Sequence, residues 1–121
     1  TQVLSLDALE PAPPEIGRFD CIACNPPYIS SDEMLTLSVD VAGFEPHDAL
    51  YGGYDGLNFY RAIATGFYSA VRPGGIIIFE CGAYQGFEVS KILQKAGYEN
   101  IARHLDYNKM ERAVSARVPM R

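Results

Sequence analysis

Apolar residues fall along this chain in runs of two kinds. Phe19-Asp20-Cys21-Ile22-Ala23-Cys24 and Ile76-Ile77-Ile78-Phe79-Glu80-Cys81 are short and nearly continuous. Such runs predict strands, and the first, which stops abruptly at Asn25-Pro26-Pro27, has the profile of a buried parallel strand. The β-branched centre of the second predicts burial on both faces. Leu57, Tyr60, Ile63, Ala64, Phe67 and Val71 instead recur at spacings of three and four. They predict an amphipathic helix ended by Pro73-Gly74-Gly75, with close approach to a neighbour at the small Ala64. Phe87, Val89, Ile92, Leu93 and Ala96 predict a second helix over 85–96, stopped by Gly97. Val3-Leu4-Ser5-Leu6 reads as a short strand. Ile101 to Tyr107 and Arg112 to Val118 read as an antiparallel pair. Pro11-Ala12-Pro13-Pro14 is a turn-rich loop. Ser30 with Glu33 fits a capping box, so a short helix starts near Ser31. Gly43 to Gly56 reads as a long loop, and loops of that length in a compact domain are often functional.

Strands alternating with helices predict an open α/β sheet with a parallel centre. Ligands of such sheets sit at the carboxyl ends of the strands. That rim carries Asn25-Pro26-Pro27-Tyr28 and Glu80-Cys81-Gly82. Composition narrows the function. At 121 residues and 48% hydrophobic, the chain suits one small globular domain. No apolar run approaches the roughly 20 residues of a membrane span. A net charge of -5 disfavours contact with phosphate, so a nucleic-acid partner is not expected. Three cysteines, with no basic region followed by an apolar run at the start, point to a reducing, cytoplasmic compartment. The first residue is Thr, and the opening reads like the inside of a domain, so a fragment is expected.

Asn25-Pro26-Pro27-Tyr28 carries the chemistry. Two prolines fix the backbone and remove N–H donors, leaving carbonyl acceptors. Asn25 adds an acceptor and a donor, and Tyr28 a flat face. The set suits a planar –NH2 group: two acceptors take its hydrogens, the ring packs on its plane, and the nitrogen lone pair points free. The competing reading is a double-proline turn that merely ends a strand. Cys21 and Cys24 form C-x-x-C, but residues three apart on a strand face opposite ways, and no further Cys or His pair completes a metal site. They read as buried, inert thiols. His47 and His104 are isolated. Lys109, Glu111, Arg112, Arg117 and Arg121 read as a solvated face, and Tyr54, Tyr60 and Tyr68 as core or loop packing.

The stretch from Phe19 to Ile29 resembles the fourth-strand motif of S-adenosylmethionine-dependent amino-methyltransferases. The four residues leave open the adenine-N6 DNA methyltransferases and the HemK/PrmC family of protein-(glutamine-N5) methyltransferases. Glu45-Pro46, Ala49-Leu50, Gly52-Gly53, Asp55-Gly56-Leu57 and Phe59-Tyr60-Arg61 resemble the loop and helix that follow the motif in HemK/PrmC proteins. Pro73-Gly74-Gly75, Glu80-Cys81-Gly82, Gln85-Gly86 and Asp106-Tyr107 through Arg112-Ala113-Val114 continue the likeness. The resemblance implies an incomplete Rossmann-like class I methyltransferase sheet lacking its first strands, with residues 1–121 the C-terminal portion of the catalytic domain. It implies S-adenosyl-L-methionine as cofactor and a glutamine of a peptide chain release factor as substrate. It gives Asn25 and the Pro26 carbonyl the catalytic hold on the amide, with Pro27 and Tyr28 completing the substrate site. Asp7 and Asn25 fall toward the cofactor. In one respect the chain departs from the family: it has no Gly-rich loop after a first strand to take the donor's amino-acid end. The fragment by itself is therefore expected to be inactive, to bind donor weakly or not at all, and to self-associate through the exposed edge of the strand Phe19 to Cys24 or else pack its first residues in a non-family position. The alternatives are an adenine-N6 nucleic acid methyltransferase and a non-catalytic truncated interaction module.

Overall fold

A computed structural model describes residues 1–36 and 50–120. Residues 37–49, with Glu45, Pro46, His47 and Ala49 and the first half of the expected loop from Gly43 to Gly56, lie outside the described residues, as does Arg121. Strands β1 (Phe19–Cys24), β2 (Val71–Glu80), β3 (Glu99–Leu105) and β4 (Glu111–Arg117) form one sheet in the order β1-β2-β4-β3. β1 and β2 are parallel, and β4 runs antiparallel to both β2 and β3. The described residues also form helices α1 (Ser31–Thr36), α2 (Asn58–Gly66) and α3 (Gly86–Lys95), with 3-10 turns at Pro14–Ile16 and Tyr68–Ala70. The expected alternation and the antiparallel pair are both present. No described helix is long and apolar enough to cross a membrane.

The core lies on one face of the sheet. The register sets Ile77 opposite Ala116 and Phe79 opposite Val114. Those side chains pack with Tyr60, Ile63 and Ala64 of α2 and Val89 and Leu93 of α3. Full burial of a side chain of this size is worth roughly 1.5–3 kcal/mol. Ala64 is fully buried, and its carbonyl accepts the Tyr98 hydroxyl at 2.8 Å, so α2 is drawn onto the start of β3. The opposite face carries Cys21, Ala23, Ile76, Ile78, Ser115 and Arg117, none of them buried. β2 is thus buried on one face only, against the expectation of two. Its apolar run fits two covered faces, and no described element packs on the second.

Six further expectations are corrected. Val3 to Leu6 form no strand, and Val3 is 93% exposed. An apolar run becomes a strand only beside another strand, and none is offered there. The predicted helix ends at Gly66 and not at Val71, which is the first residue of β2. Val71 keeps the apolar rhythm because it is buried from the sheet side. Pro73-Gly74-Gly75 stops nothing. It bulges within β2, where Phe19 pairs with Val71 and Cys21 already pairs with Ile76. Phe87, expected on the apolar face, is 58% exposed beneath Lys91, whose Nζ lies 4.8 Å from the ring centre. Cys21 is exposed and Tyr54 83% exposed, so neither is packed as expected, whereas Tyr60 is core.

β1 and β3 are the sheet edges among the described residues, and Phe19 of β1 is 44% exposed. The capping box forms as read: Glu33 N–H donates to Ser30 Oγ at 3.2 Å, and Ser30 N–H to Glu33 Oε1 at 3.1 Å. α3 begins after Gln85 and is closed by Gly97.

Candidate functional site

β1 delivers Asn25 to the rim of the sheet. Asn25 is exposed, Pro26 buried, and Pro27 and Tyr28 half-buried. This short loop is held from three sides. Gln85, just before α3, donates Nε2 to the carbonyl of Tyr28 at 3.0 Å and to that of Gly56 at 3.4 Å. Its Oε1 accepts the Gly82 N–H at 2.8 Å. Ile29 N–H donates to the Leu50 carbonyl at 2.9 Å, and Gly52 N–H to the Ile29 carbonyl at 2.8 Å. Ser31 Oγ and the Tyr51 hydroxyl share a 2.7 Å hydrogen bond.

The glycines of the 52–56 turn have a steric reason. A Cβ on Gly52 would stand 2.6 Å from the Pro27 carbonyl oxygen and 2.8 Å from Tyr28 Cα. Gly56 has a φ of +77°, and a Cβ there would stand 2.4 Å from the Tyr28 carbonyl oxygen. Backbone therefore packs directly on backbone beneath Pro27 and Tyr28. The Tyr28 ring lies over Gly82, within 3.2 Å of where a Cβ would sit. Asp55 fixes the exit of the turn: its Oδ1 accepts the Leu57 N–H at 3.0 Å, and it pairs with Arg61. The hydrogen bond from the Arg61 side chain holds the Asp55 carboxyl below the usual carboxylate range.

At the carboxyl ends of β1 and β2 an open cleft of about 470 Å³ is lined by Ala23, Cys24, Asn25, Ile78, Glu80, Arg112 and Ala113. That volume falls within the usual range for small-molecule sites. The register pairing Cys24 with Phe79 brings the next residues, Asn25 and Glu80, level on neighbouring strands. The Tyr60 hydroxyl donates to the Glu80 carbonyl at 2.8 Å and fixes the end of β2. Burial pushes the Tyr60 phenol well above its ordinary range, so it acts as a fixed donor. Burial also raises the Cys24 and Cys81 thiols, leaving them as poor nucleophiles. Arg112 is exposed, as its placement on a solvated face expects; it also lines the cleft, and its Nε lies 3.4 Å from Asp106 Oδ2. A larger groove of about 630 Å³ runs between α2 and α3. There Arg61 pairs with Asp55 and Lys91 with Glu88, and nothing is arranged to grip an amide.

The rim thus gathers Asn25, Pro26, Pro27 and Tyr28 on one braced loop beside Glu80. Asp7 does not line the cleft. It is exposed in a turn, where its Oδ1 accepts the Leu9 N–H at 2.9 Å and its carbonyl the Glu10 N–H at 3.0 Å. Gln85 was not foreseen as a brace. A glutamine immediately before a helix, three residues after a strand-ending Gly82, was the one signal for it. Among the described residues no group of three potential ligands is placed to hold a metal ion.

No protein-family model matches the chain. It is 46% identical over 102 residues to the release factor glutamine methyltransferase of Cereibacter sphaeroides, covering 84% of this chain and 37% of that protein. With the enzyme of that name from Clostridium acetobutylicum it shares 43% over 99 residues, 82% of this chain and 35% of the relative. The one from Clostridium botulinum is 40% identical over 116 residues, 96% and 41% of the two chains. Two crystal structures share the fold. A methyltransferase from Pyrococcus furiosus matches with a TM-score of 0.57 at 15% identity, over 86% of this chain and 43% of that one. A protein-(glutamine-N5) methyltransferase (release factor-specific) from Alicyclobacillus acidocaldarius matches at 0.52 and 22% identity, over 84% and 50%. The architecture is therefore that of part of a Rossmann-like methyltransferase. In sequence, the chain is similar over most of its length to a segment making up 35–41% of these three release factor glutamine methyltransferases.

Proposed function

We propose that the protein carrying this chain transfers a methyl group from S-adenosyl-L-methionine to the side-chain amide nitrogen of a glutamine in a peptide chain release factor. In this reading it works in the cytoplasm, and residues 1–121 are the C-terminal portion of its catalytic domain. One observation carries the proposal. Asn25 stands exposed at the cleft, its side chain with no hydrogen-bond partner among the described residues, on a loop braced by Gln85, Gly52 and Gly56. The names of the relatives support the choice of substrate.

The chemistry asks for alignment more than for acid or base. An amide nitrogen is a weak nucleophile because its lone pair is delocalised. Asn25 Oδ1 and the Pro26 carbonyl accept its two N–H bonds in plane, and the Tyr28 ring packs on the amide plane, so the lone pair is free to point at an incoming methyl. Pro27 keeps the loop stiff and free of a competing N–H. When bound, the donor would supply that methyl on a positively charged sulfur, left as a neutral thioether, and the amide nitrogen sheds one of its two protons to solvent after attack. For the donor itself the residues fit in part. Asp7 and Asn25 are proposed to face it, Asp7 toward the adenine amino group. Gly52, Gly56 and Gly82 do not cradle it, since Pro27, Tyr28 and Gln85 already fill the space beside them.

The test is Asn25→Ala in the protein at the full length of its relatives. Loss of a positioned acceptor at the reacting nitrogen should slow methyl transfer to release factor by about two orders of magnitude. Affinity for the donor should change less. Unchanged turnover removes Asn25 from the site. Robust labelling of adenine in duplex DNA, with none in release factor, replaces the substrate class.

A further inference from the structure

Glu80 belongs to the same cleft as Asn25 and has no role in the reading above. It is the last residue of β2, exposed, and level with Asn25 through the Cys24–Phe79 register. Its backbone is pinned, because its carbonyl accepts the buried Tyr60 hydroxyl and the next N–H, of Cys81, donates to the Arg112 carbonyl at 2.9 Å. Its carboxylate has no ion-pair partner among the described residues. Arg112, the other charge on the cleft, is drawn to Asp106. The floor between them is apolar, formed by Ala23, Ile78 and Ala113.

We propose that Glu80 is a specificity-determining residue that makes this cleft accept a neutral carboxamide and reject the isosteric carboxylate. The inference rests on the amide-clamp reading of Asn25 and Pro26 and deepens it. Glutamine and glutamate side chains have nearly the same shape, so packing against Tyr28 cannot separate them. The two acceptors at Asn25 and Pro26 need N–H donors, which a carboxylate lacks. Glu80 adds a fixed negative charge at the same end of the cleft, so a glutamate meets like-charge repulsion as well as lost hydrogen bonds. The same charge favours a glutamine as its nitrogen takes on positive charge during attack.

The experiment measures binding, without donor, of two blocked nine-residue peptides that differ only in a central glutamine or glutamate. NMR titration of the protein at the full length of its relatives reads both affinities. Native protein should prefer the glutamine peptide. Glu80→Gln should narrow that preference on the order of tenfold, the size of a like-charge contact in partly solvated surroundings. Raising the salt concentration should narrow the preference of the native protein more than that of Glu80→Gln, in which Arg112 is the charge left on the cleft. An unchanged preference in Glu80→Gln, with glutamine binding still sensitive to Asn25→Ala, overturns the role of Glu80 alone. Glutamine binding indifferent to Asn25→Ala overturns the clamp, and the role of Glu80 with it.

Discussion

Replacing Gln85 tests whether the rim loop is held as described. Gln85→Ala removes two well-formed hydrogen bonds, at 2.8 Å from Gly82 N–H and at 3.0 Å to the Tyr28 carbonyl, and a longer one at 3.4 Å to the Gly56 carbonyl. Each net hydrogen bond is worth roughly 0.5–1.5 kcal/mol, and these groups are half-buried, so the loss should be about 1–3 kcal/mol. For a domain of this size that corresponds to a fall in melting temperature of roughly 4–15 °C. Gln85→Glu separates the bonds. Its carboxylate can still accept from Gly82 but sets negative charge against two carbonyl oxygens, so at neutral pH it should melt below Gln85→Ala. Protonation below about pH 4.3 restores a donor and should bring it back above the alanine variant. Thermal melting followed by circular dichroism reads both variants. Hydrogen exchange at Ile29 and Gly52, whose N–H groups bond across the brace, should quicken in each. A Gln85→Ala protein that melts with the native one, or a glutamate variant no worse than alanine at pH 7, would refute the brace.

Two further outcomes are expected. The isolated chain should self-associate through β1, an apolar edge whose single charged residue, Asp20, is engaged with Arg72 at 2.8 Å, and Ala23→Lys should return it to monomer in sedimentation velocity. A native chain that stays monomeric at high concentration, or that binds S-adenosylmethionine at micromolar affinity in calorimetry, would overturn that account. In the turn between β3 and β4, the Met110 N–H, then that of Asn108 and the Arg112 side chain, hold the Asp106 carboxyl below its usual range. A lowered folded value means that its stabilisation is complete above the ordinary carboxylate pKa and is lost as pH falls through the lower one. Asp106→Asn should therefore be less stable than native protein at pH 7, and the difference should shrink on acidification below about pH 4; a difference constant with pH would sink it.

Local pattern was enough for much of this protein. The runs at β1 and β2, the capping box at Ser30 and Glu33, and the stop of α3 at Gly97 were legible because each depends on residues within one turn or one strand of each other. So was the position of Asn25-Pro26-Pro27-Tyr28 at a strand end, since two prolines cannot continue a sheet. What failed locally depended on distant partners. Val71 obeys a helical rhythm but pairs with Phe19, and Val3 to Leu6 have strand composition but nothing to pair with. The open face of β2 follows from which elements pack on it, which three consecutive isoleucines do not encode. The site divides in the same way. Its gripping residues are contiguous and could be read. Its brace joins residues 28, 56, 82 and 85, and the facing of Asn25 and Glu80 comes from the register of two strands far apart in the chain. Hydrogen bonds across such separations are satisfied only once the sheet has aligned both ends, so tertiary structure alone decided them.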